Sequence, residues 1–305
     1  MKEIESSASC IICQLLTVLS VFAILLYLLS LNLKCLYFIK MVGIYCAILI
    51  NAVIVCLAWP LYFFGDVPKF VFDSFNVLSR WTNIKVVVRN GEILQKPGPF
   101  IFVCNHQSSV DIVVLSHFWP SKCTVMMKKS LKYVPFFNFA SLLKSVMLKC
   151  SAYKKKIKSR AVFVDRFNRE KAMQSLEECS KKITEQKLSV FIFPEGTRNH
   201  GDGMIEFKKG AFNLAVFAQI PIIPIVISSY KQFYNKNMRY FANSGYVIVE
   251  VMDPIQTTAM TIQDVPTLAD AVRAKMMDGF AKISEEAGEE FKNRQRQISE
   301  TKKNH

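Results

Sequence analysis

Residues 100–111 read FIFVCNHQSSVD, five apolar residues followed by a polar run. Pro97-Gly98-Pro99 precedes the apolar run, which is too short for a helix and reads as a buried strand, Phe100 to Cys104. Equivalent runs lie at Ile84 to Arg89, Cys123 to Met127, Ala161 to Val164, Leu188 to Phe193, Ile222 to Ile227 and Tyr246 to Val251. The first of these is β-branched and ends at the turn pair Asn90-Gly91. Helical spacing fills several of the intervals. Asn168 is placed to cap a helix carrying Met173, Leu176, Cys179 and Ile183 on one face, and a second pattern runs from Gly210 through Phe212 to Phe217. Thr267 and Asp270 suggest a capping box before Leu268, Val272, Met276 and Ile283. Apolar strands alternating with amphipathic helices predict an α/β fold with a mostly parallel sheet of about seven strands, covered by helices on both faces.

The chain has 305 residues, is 51% hydrophobic with mean hydropathy +0.22, and carries a formal charge of +15. That apolar mass excludes intrinsic disorder, and nine cysteines at this length exclude a small disulfide scaffold. Much of the hydropathy sits near the start. No charged residue occurs from Ser6 to Leu33 or from Met41 to Gly65. The core of the first stretch, Leu15 to Leu31, spans about 26 Å as a helix, close to the roughly 30 Å hydrocarbon thickness of a bilayer. The second ends in Trp59, Tyr62 and Phe63, an interfacial aromatic set, and Lys34 and Lys40 bracket a connection between the two. A retained two-helix membrane hairpin over residues 1–65 is expected rather than a cleaved signal peptide, since Glu3 and Glu5 oppose the positive n-region a signal needs. Residues 66–284 then form the α/β domain and 285–305 a charged tail with a frayed helix end. The basic surplus lies outside the first 65 residues, densest at Lys154, Lys155, Lys156, Lys158 and Arg160, and suits anionic lipid head groups. An apolar N-terminal segment sets nucleic acid aside as the partner.

Three polar clusters each follow an apolar strand: Asn105 to Asp111, Asp165-Arg166, and Pro194-Glu195-Gly196-Thr197-Arg198. In parallel α/β sheets ligands bind at the carboxyl ends of the strands, so the clusters are expected on one edge. His106 precedes a helix start at Ser108 or Ser109 with Asp111 in the first turn, from where the carboxylate can reach back to Nδ1 and leave Nε2 as a general base. A surface histidine beside an N-terminal helix aspartate is the plain alternative. Arg166 and Arg198 can grip a phosphate bidentately, and Lys208-Lys209 stands before a helical pattern, a natural anion position. Glu195 is read as orienting Arg198 or the loop. Cys104 is read as core. The sequence has no G-x-S-x-G elbow, no phosphate loop, no dinucleotide fingerprint and no zinc spacing among His106, His117, His200 and His305, so no metal or bound cofactor is expected. A base without an enzyme nucleophile implies direct transfer to a substrate hydroxyl.

Asn105-His106 with Asp111 resembles the N-H-x-x-x-x-D motif of the glycerolipid acyltransferases. Phe163 to Arg166, FPEGTR at 193–198 and IPIIPI at 220–225 resemble their second, third and fourth blocks, in the family's order. FPEGTRN, FKKGAFNLAV, PIIPIVISSY and DVPTLADAVR are similar to the eukaryotic 1-acyl-sn-glycerol-3-phosphate acyltransferases, although Arg160-Ala161 stand where a glycine often precedes the second block. The resemblance implies acyl transfer from acyl-CoA to the sn-2 hydroxyl of lysophosphatidic acid, with acyl-CoA as co-substrate and membrane lipids as surroundings. It implies His106 and Asp111 as the catalytic pair, and Arg166, Glu195, Gly196, Thr197, Arg198, Lys208 and Lys209 at the substrate. Backbone N–H groups near Gly196 or the helix start are candidates for the oxyanion, and strand 220–225 for the acyl path or simply the core. Lys302-Lys303-Asn304-His305 resembles a di-lysine endoplasmic reticulum retrieval signal, which requires a cytosolic domain. Three other readings stand beside this one: a sister acyltransferase using glycerol 3-phosphate or another lysophospholipid, a catalytically silent lipid-binding protein, and a thioesterase-like hydrolase.

Overall fold

The computed structural model describes residues 12, 15–21, 25, 27, 32–58, 65–128, 162–164 and 169–303. Its strands in chain order are β1 (Ile84–Arg89), β2 (Ile101–Cys104), β3 (Cys123–Lys128), β4 (Val162–Val164), β5 (Ser189–Ile192), β6 (Ile222–Ile227), β7 (Tyr234–Asn235), β8 (Tyr240–Phe241) and β9 (Gly245–Val251). All except the β7–β8 hairpin join one seven-stranded sheet of order β1-β9-β6-β2-β5-β3-β4. The strands β6, β2, β5, β3 and β4 run parallel. Every residue of β2, β5 and β6 is buried, as central strands with both faces covered require. Strand 222–227 is thus core throughout.

The parallel pattern breaks at one edge. β9 pairs antiparallel to β6, and β1 is parallel to β9. The cause is the connection. A parallel return needs a crossover, usually a helix, whereas residues 228–244 hold only the β7–β8 hairpin, so the chain turns back beside the strand it has left. β1 lies at the edge and shows it, with Ile84 buried, Lys85 exposed and the rest half-buried. Asn90 takes the left-handed conformation at the end of β1, which asparagine tolerates better than most residues.

Among the described residues the α-helices α1 (Leu33–Ala58), α2 (Val67–Ser79), α3 (Asp111–Leu115), α4 (Arg169–Glu185), α5 (Gly210–Ala218) and α6 (Val265–Lys303) accompany the sheet. Leu176, Cys179 and Ile183 of α4 are buried as their spacing predicts. Asn168 lies outside the described residues, as do Trp59, Tyr62, Phe63, the 154–160 basic run, Asp165 and Arg166.

The expected two-helix hairpin is not shown. Residues 15–21 are helical, but Lys34 and Lys40, expected in a connection, both lie inside α1. This helix is long and apolar enough to cross a membrane, with mean hydropathy 2.5. It is also part of the domain's core. Tyr37, Met41, Ile44 and Ala47, at spacings of three and four, join the main hydrophobic cluster. Lys40 is buried with them because its ammonium donates to the Ala242 carbonyl and sits over the Phe241 ring. Asn51 Nδ2 donates to Val71 O at 2.9 Å and its Oδ1 accepts from Ser74 Oγ at 2.7 Å, tying α1 to α2. The opposite stripe, including Phe38, Val42, Ile50, Val53 and Leu57, is exposed and apolar. Such a stripe is compatible with a membrane location.

At the other end no frayed tail begins at Ser284. α6 continues through Lys303 and buries Ala287 and Phe291, four residues apart and therefore on one face. Its start also differs from the expected box: the helix begins at Val265, and Asp264 accepts from Thr261 N at 2.7 Å and Thr261 Oγ1 at 2.9 Å. Phe291→Ala is expected to lower the thermal unfolding midpoint in detergent by roughly 5–10 °C, the cost of emptying a buried aromatic site in a domain this size. Ile298→Ala, at an exposed position of the same helix, is expected to shift it by no more than about 1 °C. Equal shifts would mean that residues 285–303 are a tail after all.

Candidate active site

β2 leaves the sheet between β6 and β5, and its next residues are fastened to both neighbours. The Asn105 amide acts as an extra peptide group: Nδ2 donates to Ile227 O at 2.9 Å and Oδ1 accepts from Ile227 N at 2.8 Å. Gln107 Nε2 donates to the Ile227 and Ser228 carbonyls at 3.1 and 2.9 Å. On the β5 side, His106 N donates to Glu195 Oε1 at 2.8 Å, and His106 O accepts from Asn199 N at 2.7 Å. Both backbone polar atoms of His106 are therefore held by the loop after β5, which sets where its ring can go.

The ring meets Asp111. Nδ1 lies 2.6 Å from Asp111 Oδ2, a carboxylate that also accepts from Gln107 N at 2.9 Å and from Ser108 N at 3.2 Å. Asp111 is 2% exposed, so its charge depends on these donors. A carboxylate accepts only, so Nδ1 carries the hydrogen of this bond and Nε2 is the ring nitrogen that Asp111 leaves free. The ring stacks on Phe193 with centroids 4.0 Å apart, and its side chain retains 20% exposure. The result is an oriented imidazole with Nε2 turned away from Asp111. Ser108 does serve the turn, its Oγ accepting from Val110 N at 3.0 Å, though α3 proper begins at Asp111. The buried Tyr230 hydroxyl lies beside Asp111, and burial, with the help of that carboxylate, pushes the phenol well above its ordinary range.

Glu195 does not orient Arg198. Its two oxygens accept from His106 N and from Ile205 N (3.1 Å), and it is 1% exposed. Burial holds its carboxyl above the ordinary glutamate range, against the pull of these two donors. Gly196 has a left-handed φ of 69°, the conformation that favours glycine, and its N–H donates to Phe193 O at 3.0 Å. Cys104 is buried core, its thiol pushed well up by burial with help from Asp111 and Glu195, which rules it out as a ready nucleophile.

The basic residues divide between two depressions. A cavity of about 530 Å³ is lined by Thr197, Lys208 and Lys209 together with Glu195. A cleft of about 290 Å³ is lined by Arg198, His200 and Lys236 on one side and by Tyr37, Met41 and Tyr45 of α1 on the other. Arg198 and the lysine pair are therefore not in one crevice. Tyr45 Oη lies 3.0 Å from Ser109 Oγ, which joins the apolar helix to the histidine loop. His200 and Lys236 were not singled out by the sequence. His200 carries no strand-end or helix-cap signal, and Lys236 belongs to a hairpin of two-residue strands that no hydrophobic period reveals. Among the described residues, no three His, Cys, Asp or Glu side chains are grouped to hold a metal ion.

The Acyltransferase family profile matches residues 85–228, which includes the histidine turn, Glu195 to His200 and the lysine pair. A Caenorhabditis elegans protein named among the 1-acyl-sn-glycerol-3-phosphate acyltransferases, acl-2, is 39% identical over 92% of this chain and 95% of its own length. The mouse 1-acyl-sn-glycerol-3-phosphate acyltransferase alpha is 38% identical over 66% of this chain and 65% of its own. The fold is similar to the crystal structure of PlsC, the Thermotoga maritima 1-acyl-sn-glycerophosphate acyltransferase, at a TM-score of 0.52 and 21% identity, covering 77% of this chain and 97% of that one.

Glu195→Ala separates a clamp from a substrate ligand. Loss of the carboxylate leaves two N–H donors unmatched, so the variant is expected to be less stable by at least ~2 kcal/mol, with kcat falling more than the acceptor KM rises. A raised KM at unchanged stability would assign Glu195 to substrate instead.

Proposed function

Since the chain belongs to the 1-acyl-sn-glycerol-3-phosphate acyltransferase family, we propose that it transfers an acyl group from acyl-CoA to the sn-2 hydroxyl of 1-acyl-sn-glycerol 3-phosphate, giving phosphatidic acid. The observation that carries this reading is the His106 Nδ1–Asp111 contact of 2.6 Å at the carboxyl edge of the sheet, which supports Nε2 as the nitrogen available to a substrate hydroxyl.

An alcohol is a poor nucleophile until its proton is removed as it attacks. In the proposed step His106 Nε2 takes that proton while the hydroxyl oxygen bonds to the thioester carbonyl carbon. Asp111 stabilises the imidazolium so formed and keeps the ring in register. Collapse of the tetrahedral intermediate breaks the C–S bond, and the proton on Nε2 neutralises the departing thiolate of CoA. No acyl-enzyme is required, which agrees with the buried, hard-to-ionise Cys104.

Both substrates carry phosphate, and the two basic depressions beside the histidine loop support a binding role for Arg198 and for Lys208 with Lys209. Arg166 of the second block belongs to the proposal on family resemblance alone. The exposed apolar stripe of α1 supports an acceptor that approaches from lipid. The compartment in this reading is the endoplasmic reticulum membrane with the catalytic domain facing the cytosol; the apolar α1 and the family support its membrane part.

Purified protein supplied with acyl-CoA and lysophosphatidic acid is expected to form phosphatidic acid. His106→Ala is expected to lower kcat at least ~10²-fold without loss of the folded state, the smallest effect usual for removing a general base. Wild-type turnover in that variant would refute the assignment. Free fatty acid released without phosphatidic acid would favour a hydrolase, and a higher kcat/KM with glycerol 3-phosphate a sister transferase.

A further inference from the structure

The cleft between α1 and the loop after Arg198 contains two basic groups that the catalytic reading does not require. Lys236 Nζ lies 3.3 Å from His200 Nε2, and the His200 ring also bonds toward the Gln107 backbone, within the histidine loop. An ammonium only donates, so Nε2 must be the acceptor and the ring neutral. Burial, then the charges of Lys236 and Arg198, hold the His200 pKa below its ordinary value, which sets both cations within electrostatic reach of one ring. Among the described residues no carboxylate lines this cleft, although the Asp111 charge reaches the His200 ring from the histidine loop, and neither Arg198 nor Lys236 belongs to an ion pair. The neighbouring Lys231, by contrast, is paired with Asp202.

Two unpaired cations brought together are electrostatically costly unless an anion joins them. The opposite wall is the apolar face of α1, continuous with its exposed stripe. A ligand suited to this cleft has a compact anionic end and a hydrocarbon body. Charge narrows it further. A phosphate monoester carries about −1.5 to −2 at neutral pH and three equivalent acceptor oxygens, enough for both a guanidinium and an ammonium. A phosphodiester has one charge and a substituent in place of one oxygen.

We infer that Lys236, held by His200, is a second head-group ligand beside Arg198 and makes the acceptor site selective for a phosphomonoester lysolipid over a phosphodiester one. This rests on the acyltransferase reading above and deepens it. Lys236 is a binding residue; His200 is a positioning residue that acts through it.

The test is acceptor kinetics on the full chain in mixed micelles, with lysophosphatidic acid and lysophosphatidylcholine as the two acceptors and one acyl-CoA. Lys236→Ala is expected to raise the KM for lysophosphatidic acid about 10-fold, the loss of one charge-assisted hydrogen bond to phosphate, with a far smaller rise in the KM for acyl-CoA. The kcat/KM preference for the monoester over the diester should fall by a similar factor. Lys236→Arg should restore most of that preference. His200→Ala should shift it in the same direction and add little on top of Lys236→Ala, as coupled residues do. Lys231→Ala serves as the control for general loss of surface charge and should leave both KM values within about 2-fold. An unchanged preference in Lys236→Ala would overturn the inference, and so would a rise confined to the KM for acyl-CoA, which would give the cleft to the donor. Neither result touches the reaction itself; only wild-type protein that fails to form phosphatidic acid would do that.

Discussion

The carboxylate of Asp111 is a buried charge, and the geometry around it follows from how that charge is kept. Its hydrogen bonds come from the imidazole of His106 and from the backbone of Gln107 and Ser108. A hydrogen bond to a charged group contributes about 1.5–3 kcal/mol, so the cluster offsets the desolvation of one carboxylate only because several donors converge on it. Those donors belong to the turn that α3 follows. The same bonds that neutralise the charge therefore bend residues 106–108 around it and present the ring. Remove the carboxylate, and the N–H groups of Gln107 and Ser108 and the imidazole lose their common acceptor at once.

That turn would still be free to swing if only Asp111 held it. Asn105 and Gln107 tie it to the end of β6, and Glu195 and Asn199 tie it to the loop beyond β5. The fixed position of the His106 ring is thus a property of three adjacent parallel strands, each contributing its carboxyl end. The reversed strands β9 and β1 lie beyond β6 and take no part in these contacts. α1 enters from the other direction. One of its stripes is core, the other is apolar and exposed, and Tyr45 touches Ser109. An anchor built this way is not a tether with a domain hanging from it. The membrane-compatible surface and the histidine turn belong to the same packed unit, which fits a lipid acceptor that need never leave its hydrocarbon phase entirely.

The seven sheet strands and the convergence of the first and third polar clusters were legible because short apolar runs and the residues that end them are local signals. The reversal of β9 was not, since it depends on what a connection lacks. A charge in an apolar stretch reads as a boundary, yet Lys34 and Lys40 both lie inside α1. Lys40 is accommodated by a single carbonyl, Ala242 O, some two hundred residues away in sequence, and no window of sequence contains that partner. α6 was cut short for the opposite reason: polar composition after Ser284 hid two apolar positions, Ala287 and Phe291, whose spacing of four was there to be read. Glu195 stood in a recognised block, yet its role as a clamp on His106 and Ile205 is purely tertiary. The clustering of cations was foreseen as one crevice; two depressions are found, because Arg198 and Lys208 lie on different stretches of a loop that turns between them.

The hydrogen-bond inventory of this loop also bears on where developing charge is met. Gly196 N–H was a candidate oxyanion donor and is engaged by Phe193 O. At the histidine turn, His106 N serves Glu195, Gln107 N and Ser108 N serve Asp111, Val110 N serves Ser108 Oγ, and Asp111 N reaches Ser108 O. These N–H groups are thus committed to holding the turn that carries His106. An oxyanion hole works because its donors are aimed in advance and cost no rearrangement when charge appears. Donors already engaged cannot meet that condition without releasing the imidazole or the loop that fixes it.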